Sequence, residues 1–114
     1  MNLEQIIQAL DLTVLTNQKD FSSIIPQSGY TSDLLSCVMA GASHKSIWIT
    51  LQAHTNIVAV AALLELSAVI ITEGAIPDQI TLDKAKDEGI ILLSSKERTF
   101  TVVGKLWEMG VRGK

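Results

Sequence analysis

Three short apolar runs recur along the second half of the chain. Residues 46–51 (SIWITL), 68–72 (AVIIT) and 90–94 (IILLS) are rich in β-branched side chains. Short continuous runs of this kind are typical of strands that are buried on both faces. They begin at residues 46, 68 and 90, so the spacing leaves room for one helix after each strand.

A helical segment does follow each run. The pattern predicts helices over residues 56–66, 78–88 and 99–109, and Gly89 and Gly110 stand where the residue after a helix belongs. Repeated strand–helix units cross over right-handedly and form parallel sheets. We therefore predict an α/β fold: a three-layer domain with a mostly parallel sheet built from repeated βα units.

The first half of the chain is less regular. Residues 3–10 predict a short amphipathic helix, and residues 12–15 predict a short strand. Residues 27–29 follow a proline and are of types typical of turns. Ser32 or Asp33 is expected to cap a helix that ends at Gly41. No linker or low-complexity tract interrupts the chain, so we expect a single domain over residues 1–114.

Composition narrows the classes of partner. The chain has 114 residues, 47% of them hydrophobic and 18% charged, which suits a compact core. Its net charge is −3 and its basic residues are scattered, so a nucleic-acid partner and an anionic membrane are both disfavoured. The start of the chain lacks a basic signal-peptide region, and residues 56–72 contain Glu65 and fall short of a spanning helix. We expect a cytoplasmic protein.

Metal and cofactor chemistry finds little support. Cys37 is the only cysteine, which excludes an internal disulfide, and it is expected to be a small core residue. His44 and His54 lack the spacing of a metal-binding pair. The phosphate-binding loop and dinucleotide-binding motifs are also missing, so we expect neither a metal nor a cofactor.

The helix predicted over residues 56–66 is apolar on every side except near its ends. A helix of this kind must be covered all round. One sheet in a small domain leaves its outer side open, so we expect a second subunit to cover it and the protein to be a homodimer.

The expected ligand site lies at the carboxyl ends of the strands, where an open parallel sheet forms its crevice. The loops over residues 52–55, 72–75 and 94–99 meet there, and each leads into a helix N-terminus that favours an anion. Arg98, Lys96 and neighbouring hydroxyls suit a phosphate or carboxylate. The candidate ligand-binding residues are His54, Thr55, Asn56, Thr72, Glu73, Gly74, Ser95, Arg98 and Thr99.

Several of these residues have alternative interpretations. Thr55, Asn56 and Thr99 are also suitable helix caps. His54 could act as an acid–base group with Glu73 or Asp33, which leaves a small enzyme as an alternative. No nucleophile elbow is present, so we identify no catalytic residue.

In the order and spacing of these segments, the chain resembles the DRTGG domain family. The resemblance rests on residues 28–36 (SGYTSDLLS), 46–63 (SIWITLQAHTNIVAVAAL), 69–77 (VIITEGAIP) and 90–100 (IILLSSKERTF). Domains of this family are similar in fold to the N-terminal domain of HPr kinase, and they also occur between CBS repeats of regulated pyrophosphatases. The resemblance implies a homodimeric, non-catalytic module that senses a ligand or regulates a partner.

The chain also departs from the family pattern. Ala53-His54 replaces the name-giving Asp-Arg pair, and Thr72-Glu73-Gly74 replaces the Thr-Gly-Gly turn. Arg98 replaces the acidic residue of an Asp-Thr-Phe sequence, which moves positive charge from the first loop to the third. We expect a module that binds a small anionic ligand, such as a nucleotide or phosphorylated metabolite, or a protein partner. A pure protein-interaction subunit without a ligand is the alternative.

Overall fold

The predicted strands form the centre of the sheet in the computed structural model, which describes residues 1–113. Within these residues the sheet has five strands in the order β1-β5-β4-β3-β2. Strands β2 to β5 are parallel, and β1 pairs antiparallel with β5. The prediction of a mostly parallel sheet made of βα units is confirmed. The strands are β1 (Thr13–Val14), β2 (Gly29–Thr31), β3 (Ile47–Thr50), β4 (Ala68–Ile71) and β5 (Leu92–Ser94).

The helices agree with the predicted segments except at their ends. A short 3₁₀ helix at Phe21–Ser23 adds to them. None of the helices in residues 1–113 combines the length and the apolar character needed to cross a membrane. The helices are α1 (Leu3–Ala9), α2 (Leu35–Gly41), α3 (Asn56–Leu63), α4 (Gln79–Glu88) and α5 (Thr99–Glu108).

The direction of the strand order decides which face each helix covers. From β2 to β5 each strand is added on the same side of the previous one, so right-handed crossovers place α2, α3 and α4 on one face. Their side chains form a core with Trp48 and Ile71. Helices α1 and α5 cover the other face, where Leu3 and Leu106 pack with Ile49. The result is the predicted three-layer arrangement.

Strand β2 was not predicted, because its first residue, Gly29, was interpreted as part of a turn. Gly29 lies in this edge strand, and its N–H donates to the carbonyl of Arg112 at 2.9 Å. A Cβ at Gly29 would come within 3.2 Å of Val111 Cγ1. The glycine therefore permits the C-terminal segment to lie against the strand, and it does not mark a turn.

The expected cap of α2 is wrong. Helix α2 begins after Leu34 without a side-chain cap. The Asp33 carboxylate instead accepts hydrogen bonds from Thr50 Oγ1 at 2.8 Å and from the N–H of Leu51 at 2.9 Å. Asp33 therefore ties the loop after β2 to the end of β3.

Two expectations about burial also change. Cys37, expected in the core, is exposed on α2. In α3, Val58 and Ala61 are fully buried because the sheet, α2 and α4 surround them. Leu63 is 68% exposed on the outer side of α3. The chain's own elements thus cover most of this helix, and its apolar sequence alone does not require a second subunit.

The two tryptophans provide a test of the core. Trp48 is fully buried and its indole N–H donates to the carbonyl of Ser32 at 3.0 Å. Trp48→Phe leaves that carbonyl without its donor and opens a cavity, so we expect the free energy of unfolding to fall by about 2–4 kcal/mol in urea denaturation. Trp107→Phe on the exposed side of α5 serves as the control, with a change within about 0.5 kcal/mol. Equal effects of the two substitutions would contradict the assignment of Trp48 to the core.

Asp78 makes the start of α4 sensitive to pH. Its carboxylate accepts hydrogen bonds from Thr81 N and Thr81 Oγ1, at 2.9 Å and 2.8 Å, and these bonds lower the pKa of Asp78 below its ordinary value. When the pKa of a carboxyl group is lower in the folded protein than in the unfolded chain, the ionised group stabilises the fold. This stabilisation is complete at a pH above the pKa in the unfolded chain, and it is lost as the pH falls through the pKa in the folded protein. We therefore expect wild-type stability to decrease below about pH 4.

Asp78→Asn keeps a capping oxygen but cannot titrate. Thermal melts from pH 7 to pH 2 should therefore show a smaller loss for this variant than for the wild type. Parallel curves for the two proteins would show that Asp78 does not contribute to the pH dependence.

Candidate functional site

A cleft opens at the carboxyl end of the sheet beside β4 and β5. These strands are neighbours, but α4 and α5 follow them onto opposite faces, so the two connecting loops diverge. Ligand crevices of open α/β sheets form where successive connections part in this way. The cleft has a volume of about 570 Å³, and we call it the carboxyl-edge cleft.

Three segments of the chain line the carboxyl-edge cleft. The first runs from the end of α1 through β1, the second is the loop after β4, and the third is the loop after β5, joined by one side chain of α5. The lining residues are Ala9, Leu10, Asp11, Thr13, Leu15, Gly74, Ala75, Ile76, Ser94, Ser95, Lys96, Glu97 and Lys105.

Backbone hydrogen bonds hold the two divergent loops together. The N–H of Glu73 donates to the carbonyl of Glu97 at 2.8 Å, and the N–H of Gly74 donates to the carbonyl of Ser95 at 3.1 Å. The side chain of Ser95 accepts from the N–H of Glu97 at 3.0 Å. This part of the cleft wall is therefore fixed by the chain itself.

Glu73 occupies the N-terminus of α5. Its Oε2 accepts a hydrogen bond from the N–H of Thr99 at 2.8 Å, and the hydroxyls of Thr72 and Thr99 lie 2.6 Å apart. A carboxylate at this position is stabilised by the helix dipole. The backbone of Glu73 adopts a left-handed φ of 63°, which is unfavourable for a residue with a side chain. Its cap on α5 offsets this unfavourable conformation.

The ends of α4 and α5 are thus already supplied with negative charge by the protein. Asp78 caps α4, and Glu73 caps α5. The sequence-based expectation that these helix ends are free to bind an anion is not met.

The charged side chains of the cleft differ in whether they form an ion pair. The Lys105 ammonium lies 2.9 Å and 3.0 Å from the two carboxylate oxygens of Glu97, so these two side chains form a partly exposed ion pair. Lys96 is exposed and forms no ion pair with any residue in 1–113. Asp11 adds a negative charge at the side of the cleft formed by the end of α1. Lys96 is therefore well placed to meet an incoming anion.

The predicted site residues divide into three groups. Gly74 and Ser95 line the cleft directly. Thr72, Glu73 and Thr99 form the hydrogen-bonded network that joins its loops. The remaining candidates lie outside it.

Of these, His54, Thr55 and Asn56 lie together at the start of α3. His54 Nδ1 accepts from the N–H of Asn56 at 3.4 Å, and the hydroxyls of Thr55 and Thr81 are 3.0 Å apart. Arg98 is exposed and is not part of the cleft wall. The structure does not bring these four candidates into the cleft.

The alternative of a small enzyme requires His54 to act with Glu73 or Asp33. Asp33 and Glu73 use their carboxylates in the hydrogen bonds described above, and no hydrogen bond joins His54 to either of them among the described residues. Within residues 1–113, no group of three or more histidine, cysteine, aspartate or glutamate side chains is arranged to hold a metal ion.

The sequence analysis missed the side of the cleft formed by α1 and β1. Thr13 lies opposite Ser94 because β1 pairs antiparallel with β5, and this pairing brings Asp11 and Leu15 to the cleft. Residues 12–15 were predicted to form a strand, but its partner could not be read from so short a segment. Lys105 was missed because its ion pair with Glu97 depends on the position of α5.

Comparison with known proteins identifies the fold. No protein-family model matches the sequence, and no curated protein matches it either. Among solved structures, the chain is similar to the CBS and DRTGG domains of the regulatory region of a Clostridium perfringens pyrophosphatase, in complex with the activator diadenosine tetraphosphate. The TM-score is 0.75 at 19% sequence identity, and the match covers 90% of this chain and 44% of that chain. The chain therefore has a DRTGG-like fold, and it spans less than half the length of the solved regulatory region it matches.

Proposed function

We propose that this chain is a member of the DRTGG domain family and a non-catalytic regulatory module that binds a nucleotide or phosphorylated metabolite. The observation that carries the proposal is the structural match, over 90% of the chain, to a regulatory region solved with a nucleotide activator. We also propose that the module forms a homodimer and acts in the cytoplasm, as the sequence analysis expects.

The carboxyl-edge cleft is the binding site in this proposal. Its volume of about 570 Å³ lies in the range of sites for small molecules. Leu10, Leu15 and Ile76 add apolar surface to the lining, which suits a planar base, and Ser94 and Thr13 add polar groups near the sheet edge. The mixture of apolar wall and cationic rim suits a nucleotide better than a purely apolar ligand.

Lysine side chains, and not helix ends, recognise the phosphate in this proposal. Asp78 and Glu73 already occupy the ends of α4 and α5. Lys96 forms no ion pair within residues 1–113, whereas Lys105 is paired with Glu97 and becomes more available when the ligand displaces that carboxylate. Glu97 therefore competes with the phosphate for Lys105, which favours a ligand of high negative charge.

A non-catalytic role is also supported by the hydrogen bonds of the side chains that could take part in catalysis. His54, the best candidate for an acid–base group, is bonded to its own helix and has no carboxylate partner among the described residues. The carboxylates of Glu73 and Asp33 accept structural hydrogen bonds.

The second candidate function is a pure interaction subunit, which is favoured by the exposed apolar side chains Phe100 and Trp107 on α5.

A thermal-shift assay followed by calorimetry tests the ligand site. Diadenosine tetraphosphate and ATP should raise the melting temperature with concentration, by about 2.7 kcal/mol of added stability at a ligand concentration of 100 Kd. Lys96→Ala should weaken binding by about tenfold or more, since a hydrogen bond to a charged group contributes about 1.5–3 kcal/mol. Glu97→Gln should strengthen it, because Lys105 is then free to bind phosphate.

Two variants control for the position of the charge. Lys84→Ala removes a lysine from the exposed side of α4, and Arg98→Ala removes the arginine outside the cleft; neither should change affinity. If Arg98→Ala abolishes binding while Lys96→Ala does not, the ligand lies at the sequence-predicted loops and not in the cleft. If no nucleotide or inorganic phosphate binds, the interaction subunit is the better account.

A further inference from the structure

Two carboxylates line the carboxyl-edge cleft, and they differ in what they contact. Glu97 holds the Lys105 ammonium in an ion pair. Asp11 is exposed, and its carboxylate forms neither an ion pair nor a hydrogen bond with the other residues in 1–113. An uncompensated negative charge therefore lies at the wall of a cleft whose proposed ligand is itself an anion.

The backbone of Asp11 has a conformation that favours glycine. The N–H of Asp11 donates to the carbonyl of Gln8 at 3.3 Å, and the N–H of Leu12 donates to the carbonyl of Ile7 at 3.0 Å. These two bonds end α1 in the arrangement that places the residue after the helix in the left-handed region, and the φ of Asp11 is 52°. Gly89, with a φ of 71°, has the corresponding place after α4. A side chain at Asp11 is thus unfavourable for the end of the helix.

The charge of Asp11 is unfavourable there as well. The last turn of a helix ends in carbonyls with partial negative charge, so cations are favoured beside it and anions are not. Glu65 follows α3 in the same way, with a φ of 52°, but His44 Nδ1 lies 3.1 Å from its carboxylate. No cationic side chain within residues 1–113 pairs with Asp11. The fold of α1 therefore does not account for an aspartate at this position.

A carboxylate in a cleft that also holds lysines discriminates among anions. It repels a bare phosphate that approaches Lys96, but it accepts hydrogen bonds from hydroxyl groups. A ribonucleotide has two neighbouring hydroxyls on its ribose in addition to its phosphates, so hydrogen bonds to the carboxylate can offset the repulsion. Acidic side chains bind ribose hydroxyls in this way in dinucleotide-binding α/β proteins. Inorganic phosphates have no such hydroxyl pair, so they meet only the repulsion.

We propose that Asp11 determines the specificity of the carboxyl-edge cleft: its carboxylate accepts hydrogen bonds from the ribose 2′- and 3′-hydroxyls of a ribonucleotide and disfavours phosphates that lack a ribose. This proposal rests on the proposed function, since it requires a nucleotide in the cleft, with its phosphate bound by Lys96. The unfavourable position of Asp11 at the end of α1 is then explained by its contact with the ligand.

Asp11→Gly separates ligand binding from stability, because glycine suits the left-handed backbone and has no charge. In thermal melts without ligand, this variant should have a higher melting temperature than the wild type. In calorimetry, the wild type should bind ATP about tenfold or more tightly than 2′,3′-dideoxy-ATP. Asp11→Gly should bind the two nucleotides equally, and it should bind inorganic triphosphate at least as tightly as the wild type does.

Glu65→Gly is the matched control, since Glu65 has the same backbone conformation after α3 and lies outside the cleft. It should leave the ratio of the two nucleotide affinities unchanged. If the wild type binds ATP and dideoxy-ATP equally, or if Asp11→Gly keeps the wild-type ratio, the role of Asp11 is overturned while the proposed function stands. A lower melting temperature for Asp11→Gly would assign Asp11 to the fold and also overturn it. Failure of the wild type to bind any nucleotide overturns both proposals.

Discussion

The hydrogen bond from the N–H of Thr99 to the carboxylate of Glu73 connects the start of α5 to the loop after β4. Helices α4 and α5 leave neighbouring strands for opposite faces of the sheet, so their first turns lie on different sides of it. Glu73 bridges this gap from the loop after β4 to the first turn of α5. The backbone bond between Glu73 and Glu97 reinforces the bridge. The shape of the carboxyl-edge cleft and the direction of α5 both depend on this junction.

The same junction changes the electrostatic character of the sheet edge. In many α/β proteins the helix N-termini at this edge bind an anionic ligand. Here Glu73 and Asp78 supply the anions from the protein, so these helix ends stabilise the fold. The proposed function therefore assigns recognition of a phosphate to lysine side chains. The pairing of Lys105 with Glu97 means that only part of this positive charge is available before a ligand arrives.

The sequence predicted the elements whose pattern is local. Strands β3, β4 and β5 follow from runs of β-branched residues, and the helix after each strand follows from spacing and from Gly89, whose φ of 71° ends α4. Gly29 gave a misleading signal, because its role is to accept the C-terminal segment at close distance. The pairing of β1 with β5 depends on contacts between distant parts of the chain, which a two-residue strand does not encode. The capping roles of Glu73 and Asp33 could not be predicted either, since each carboxylate reaches another element of the fold.

An NMR titration of isotope-labelled protein with diadenosine tetraphosphate tests the central claim, that a nucleotide binds in the carboxyl-edge cleft. The account predicts concentration-dependent shifts of the backbone amides of Gly74, Ser95 and Lys96, on the two loops that line the cleft. The amides of Lys45 and Ser67, at the amino ends of β3 and β4, should stay unchanged. Shifts confined to His54 and Asn56 at the start of α3, or to the amino ends of the strands, would contradict the account.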